Sequence, residues 1–264
     1  MAESYKIIVE QDYCTVVAKY ESSRKNGNAY QSEQDLERWL IEQLQRQGYE
    51  YPSIHNEKEL LENLRIQLGK ANDTEYSDKE WTSLLNILTS ETLTMEDKAS
   101  MIQKDNTAVE IKRDNGINTN VHIIHKDNVF KNNLQVINQY VPAGGTHANR
   151  YDVTILVNGL PLVHIELKRR GVSIREAFNQ INRYARESFW AGKGMFDYIQ
   201  LFIISNGTET KYYSNTTRYA REQEAVKQKG KKKKIQSNSF EFTSYWSDRE
   251  NNLICDLEDF AKTF

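Results

Sequence analysis

Two hydrophobic rhythms divide the chain, and the change from one to the other falls near Asp105. From Ser32 a polar cap and early acidic residues lead into Leu36, Leu40 and Leu44, four apart, and Gly48 follows as a stop. That pattern predicts a helix. Amphipathic stretches at 57–68 and 77–88, and a shorter one at 95–103, predict three more helices and thus a helical N-terminal half. Ahead of them, residues 5–9 and 14–18 read as short strands around the polar turn Glu10-Gln11-Asp12.

Beyond Asp105 the period drops to two. Val109/Ile111, Val121/Ile123 and Leu134/Val136 predict strands, separated by turn residues such as Asp114-Asn115-Gly116. A sheet is expected to begin there. Residues 151–157 and 162–168 predict a strand pair around Asn158-Gly159, followed by a helix over about 173–189. Residues 198–205 and 211–213 predict a second pair around Asn206-Gly207. Strands mixed with helices make the expected fold class α/β. Residues 220–239 break both rhythms, because Lys227, Lys229 and Lys231 to Lys234 stand among almost no apolar residues. Such a segment cannot offset its ordering entropy by burial, so a solvated, mobile loop is expected, with phosphate binding as its other reading. Leu253, Leu257 and Phe260 predict a closing helix over 251–264, as though the chain were cut from something longer. The expected organisation is strands and helices over 1–104, a core over 105–219, the lysine-rich loop over 220–239, and a strand and helix over 240–264.

Composition narrows the picture in three ways. With 264 residues and 38% hydrophobic content, the chain is long enough for a substantial core. A formal net charge of -2 offers a polyanion no global attraction, so any nucleic-acid contact must be local. No apolar run is long enough to span a bilayer, the N-terminus is too polar for a signal peptide, and Cys14 and Cys255 read as buried cytosolic thiols; no membrane partner and a cytoplasmic location are expected.

The strongest chemical signal is Asp152 followed, after thirteen intervening residues, by Glu166-Leu167-Lys168 at the end of an apolar strand. Alternation puts Glu166 and Lys168 on one face. Two carboxylates converging at a strand end offer hard oxygens to Mg²⁺, and a lysine beside them can offset charge growing on a phosphate. A Glu-x-Lys alone occurs often by chance and is far more commonly a charged pair on a solvated edge. Here Asp152 opens the preceding strand, and Gln180 and Tyr184 lie four apart on the following helix.

Asp152, Glu166-Leu167-Lys168 and Gln180-Ile181-Asn182-Arg183-Tyr184 resemble the D, E-x-K and Q-x-x-x-Y pattern of the RecB-type branch of PD-(D/E)XK nucleases. Arg150-Tyr151-Asp152-Val153, the run from Val157 to Val163, residues 32–49, Ile203 to Gly207 and residues 246–260 are similar to type I restriction endonuclease R subunits. The resemblance covers roughly residues 30–264. It implies a restriction-endonuclease-like core with a central mixed sheet flanked by helices, and cleavage of double-stranded DNA with Mg²⁺. Asp152 and Glu166 would bind metal, Lys168 would assist catalysis, and Gln180 and Tyr184 would hold DNA or orient the site. It also implies an acid on the N-terminal helix, for which Glu37 is the first choice, with Glu33 and Glu42 as competitors. Arg150, Arg169, Arg170, Arg175 and Arg183 are candidate phosphate contacts. Methyltransferase and specificity subunits are the implied partners.

One feature departs from the pattern. Such subunits use ATP to drive a translocase, yet no Gly-x-x-x-x-Gly-Lys-Ser/Thr loop occurs, so the motor is expected outside this chain. A non-catalytic DNA-binding or docking module of the same fold and a stand-alone nuclease are the competing readings. His122 and His125, three apart, are expected on opposite faces of a strand with no zinc motif around them. His164 shares a face with Glu166 and Lys168 and reads as a hydrogen-bonded structural histidine. A last expectation concerns register. A two-residue Asn158-Gly159 turn with unbroken pairing would set Asp152 against Ile165, on the wrong face from Glu166. The chemistry therefore requires an odd-numbered connection or a bulge of the same effect.

Overall fold

The computed structural model describes residues 6–11, 15–19, 31–105, 108–143, 149–189, 194–220 and 239–263. Strands β1 (Lys6–Gln11) and β2 (Thr15–Lys19) form an antiparallel hairpin where two short strands are expected. Four helices follow: α1 (Glu33–Arg46), α2 (Glu57–Ala71), α3 (Asp78–Leu88) and α4 (Met95–Gln103). Each is preceded by a side chain, Ser32, Asn56, Ser77 or Thr94, that accepts a first-turn backbone N–H for which the helix itself has no partner. At Ser32 the Asp35 carboxylate returns the bond, completing a reciprocal cap.

The central sheet has five strands in the order β5 (Leu134–Tyr140), β6 (Tyr151–Val157), β7 (Leu160–Leu167), β8 (Leu201–Ser205) and β9 (Thr210–Ser214). All neighbours run antiparallel except β7 and β8, which are parallel and joined through helix α5 (Ile174–Glu187). The sheet is therefore mixed, with helices on both faces. On one face α2, α3 and α5 bury Leu60, Leu64, Leu84, Phe178, Ile181 and Phe202. On the other, α1 and a C-terminal helix (Leu257–Thr263) bury Leu36, Leu40, Val153, Ile165 and Phe260. A fully buried leucine contributes roughly 1.5–3 kcal/mol. Glu50 and Ser244 bond along the outer edges of β5 and β9, which blunts both edges.

Three expectations need correction. Strands β3 (Val109–Lys112) and β4 (Asn118–Val121) pair only with each other and do not begin the main sheet; their apolar side chains pack into the larger core instead. His122 and His125 lie beyond β4, and their rings approach to 5.2 Å rather than facing apart. The closing helix starts at Leu257, because residues 246–254 form a small ribbon, β10 (Trp246–Ser247) with β11 (Leu253–Ile254), in which Leu253 is exposed. Cys255 is half-buried; Cys14 and the lysine-rich stretch Lys227 to Lys234 lie outside the described residues. Among the described residues no helix is long and apolar enough to cross a membrane.

Candidate active site

The β6–β7 hairpin decides the site. Its connection is the two-residue turn Asn158-Gly159, with Val157 opposite Leu160 and both turn residues at positive φ, 51° and 82°. By itself that register would turn Asp152 away from Glu166. The pairing then slips: Leu156 faces Pro161, but Ile155 faces Val163, leaving Leu162 as an extra residue. From there Thr154 pairs with His164 and Val153 with Ile165. Continuing the shifted register sets Asp152 across from Glu166. The Leu162 bulge thus supplies the correction that the chemistry requires. Its carbonyl is not left unpaired, since Gln200 N–H donates to it at 2.8 Å.

At the strand ends the functional groups converge. Asp152 Oδ2 accepts the Leu167 backbone N–H at 2.9 Å. Lys168 Nζ donates to Glu166 Oε1 at 3.2 Å and to the Leu167 carbonyl at 2.8 Å. Glu166 has no exposed surface, whereas Asp152 and Lys168 are partly open. Burial, and then the neighbouring Glu166, push the Asp152 carboxyl up to about 8. Burial also raises Glu166, to about 7, against the pull of Lys168. Two carboxyls beside one lysine form an under-compensated pair, and Glu166 Oε2 has no hydrogen-bond partner.

That donor set fits a hard divalent cation. Among the described residues no cage of three or more His, Cys, Asp or Glu side chains forms. Mg²⁺ suits such a site, because it keeps several waters and takes one or two carboxylates.

Helix α5 holds the frame. Tyr184 is buried, and its hydroxyl donates to the Arg150 carbonyl at 2.9 Å while accepting from the Gln180 amide. The Gln180–Tyr184 pair thus ties α5 to the backbone just before Asp152. Tyr151 adds a second tie through Ser188 Oγ at 2.8 Å. Of the acids on α1, Glu33 stands 3.9 Å from Lys168. Glu37, one turn on, accepts the side-chain amides of Asn138 and Gln139 at the end of β5. Glu42 lies farther along α1, on its exposed side. Arg150, Arg169, Arg175 and Arg183 are exposed, and Arg170 is half-buried. Arg175 lies over Phe240 and Arg183 over Tyr184, so their stems are partly fixed by ring contacts.

His164 lies fully buried between Thr154 and Glu166, its Nε2 3.4 Å from Glu166 Oε2. Burial lowers its pKa to about 4, which keeps the ring neutral at neutral pH. Thr154, beside His164, and Gln139, which donates to Glu37, are residues to which the sequence reading does not point. Thr154 shares a strand face with Asp152 at spacing two, and that spacing is a usable signal. Gln139 sits at a positive φ of 54°, for which the local sequence carries no marker.

Residues 30–221 match the family described as the type I restriction enzyme R protein N terminus. The chain is 45% identical to the type I restriction enzyme EcoprrI endonuclease subunit of Escherichia coli, across its whole length and 79% of that protein. It is 39% identical to the type I restriction enzyme SauMSSORF170P endonuclease subunit of Staphylococcus aureus, over 89% of this chain and 23% of that one. A Staphylococcus saprophyticus type I restriction enzyme endonuclease subunit is 41% identical, over 89% of this chain and again 23% of its own. The chain therefore spans most of one relative and about a quarter of the others.

Proposed function

Because the chain belongs to the type I restriction enzyme R protein N-terminal family, we propose that it is the Mg²⁺-dependent nuclease domain of a type I restriction enzyme, hydrolysing phosphodiester bonds of double-stranded DNA. The observation that supports this reading best is the bulged hairpin, with Asp152, Glu166 and Lys168 gathered at one strand end. Asp152 and Glu166 would hold the cation, which when bound polarises the scissile phosphate and lowers the pKa of its water. Lys168, shielded and anchored by Leu167, presents its charge where the phosphate accumulates negative charge. Gln180 and Tyr184 keep the backbone before Asp152 in place, and so act by positioning. Glu33 stands where the acid of α1 would meet Lys168. The exposed arginines Arg150, Arg169, Arg175 and Arg183 would neutralise DNA phosphates near the site.

In this reading the domain works in the cytoplasm with methyltransferase and specificity subunits, which choose the site. ATP is consumed by a motor outside these residues, since the sequence holds no Gly-x-x-x-x-Gly-Lys-Ser/Thr loop. The test is to place Asp152→Ala, Glu166→Ala and Lys168→Ala in the full assembly. Cleavage should be abolished in each while ATP hydrolysis and translocation persist. Equal loss of ATP hydrolysis in all three would assign these residues to folding instead.

A further inference from the structure

The interior behind the site holds a matched pair of unpartnered atoms. Glu166 Oε2 and His164 Nε2 are both buried without a hydrogen-bond partner, and they lie 3.4 Å apart. On the other side of the ring, His164 Nδ1 lies 3.4 Å from Thr154 Oγ1. Four aromatic rings wall the imidazole, those of Tyr151, Tyr184, Phe189 and Phe202. Both phenols are already committed, Tyr151 to Ser188 and Tyr184 to Gln180 and Arg150. Neither can serve Nε2.

Once Glu166 is ionised, as it must be to hold a cation, the chemistry of these groups leaves one consistent pattern. An ionised carboxylate only accepts, so any bond between Oε2 and the ring requires the proton on Nε2. A neutral imidazole then has a bare Nδ1, which needs a donor, and the Thr154 hydroxyl can rotate to provide one. A chain Thr154 to His164 to Glu166 results, running across the β6–β7 pair in the register that the bulge creates.

Resting on the nuclease reading above, we propose that His164 is a positioning residue: its Nε2–H fixes Glu166 Oε2 inward, leaving Oε1 beside Lys168 as the oxygen offered to a divalent cation. A carboxylate free to spin about its terminal torsion would present either oxygen or both. One pinned by a buried donor presents a single oxygen at a set angle, which is how outer groups tune metal ligands elsewhere. Filling the aromatic box accounts for the ring's burial but not for a polar atom aimed at Oε2.

Two measurements on the 264-residue chain decide the matter. Long-range ¹⁵N–¹H NMR correlations of the metal-free protein, labelled in histidine rings and held near pH 9, above the range in which Asp152 and Glu166 keep their protons, should show His164 protonated at Nε2 and bare at Nδ1. The opposite tautomer would overturn the proposal, and this readout needs neither a variant nor cleavage. Calorimetric titration with Mn²⁺ as probe should show His164→Phe, which keeps a ring in the box, weakening binding about 10–100-fold. His164→Gln, whose amide reaches toward the same point, should recover much of that deficit. Wild-type Mn²⁺ affinity in a folded His164→Phe chain would also sink the proposal. Asp152→Asn separates the two readings: if it leaves Mn²⁺ binding intact, the metal site itself is misassigned, whereas the tautomer of His164 stands or falls by the NMR result.

Discussion

Two carboxyl groups buried side by side resist ionising, first because burial penalises the charged form and then because Glu166 lies beside Asp152, and this makes stability a readout of the site. Unfolded, Asp152 and Glu166 release their protons near the ordinary values of 3.8 and 4.5; folded, they hold them to about 8 and 7. Between these limits the folded chain binds more protons than the unfolded one, so their contribution to stability is full below about pH 4 and disappears as pH rises toward 8. Metal-free protein should therefore lose stability between pH 5 and pH 8, on the order of a few kcal/mol from this pair. Urea denaturation of wild type and Asp152→Asn at both pH values checks this. The variant should show a clearly flatter trend, and parallel trends would mean that the Asp152 carboxyl is not raised in the folded protein. Added Mg²⁺ should stabilise the wild type most at pH 8, where the pair is ionised, because a ligand bound only by the folded state raises its stability.

At the scale of elements, the hairpin turn is anchored as firmly as the strands it joins. Gly159 has φ +82°, and a Cβ there would meet the Leu64 backbone of α2 at 2.7 Å. Gly116 has nearly the same φ, +84°, but opens to empty space. Both substitutions to alanine carry the strain of positive φ, whereas only Gly159→Ala adds a clash with backbone that cannot yield. Gly116→Ala should cost about 1 kcal/mol and Gly159→Ala roughly 2–4 kcal/mol in chemical denaturation. Equal costs would mean α2 shifts freely beneath the turn. The α1 cap is a milder case: Ser32→Ala removes the acceptor for Asp35 N–H and should cost about 1 kcal/mol. Because Glu33 begins that helix, the same change should loosen its approach to Lys168.

Over the whole molecule, charge is nearly balanced, so DNA binding must depend on where the cations stand. The exposed arginines Arg150, Arg169, Arg175 and Arg183 flank the elements that carry the site. Replacing each with glutamine should lower the slope of log affinity against log salt by up to about 0.9 for every phosphate that is no longer neutralised. The lysine-rich stretch reads first as a solvated insertion, so changing its six lysines to glutamine should leave the slope unchanged. Fluorescence anisotropy across a salt series measures both. A slope that responds to the lysines and not to the arginines would reverse the assignment.

Much of this architecture is written locally. The caps at Ser32, Ser77 and Thr94, the helical spacing of Leu36, Leu40 and Leu44, and the closeness of Glu166 to Lys168 are relations between residues a few positions apart, and the folded chain keeps them. Periodicity reveals which face a residue occupies, but not which neighbour that face will meet. For that reason Glu33 and Glu37, one turn apart on α1, are indistinguishable until the helix lies across the sheet. Likewise, β3 and β4 carry the alternation of sheet strands, yet only tertiary packing sets them apart as a separate hairpin. The register of β6 against β7 is the sharpest case. Asn158-Gly159 specifies a two-residue turn, and nothing local marks Leu162 as the extra residue; the bulge is fixed by Gln200 bonding the Leu162 carbonyl from β8's approach and by α2 packed beneath the turn. Those partners are distant in sequence, so the sequence by itself determined which groups stand as candidates for the proposed chemistry, and only the tertiary structure decided that Asp152 and Glu166 would share a face.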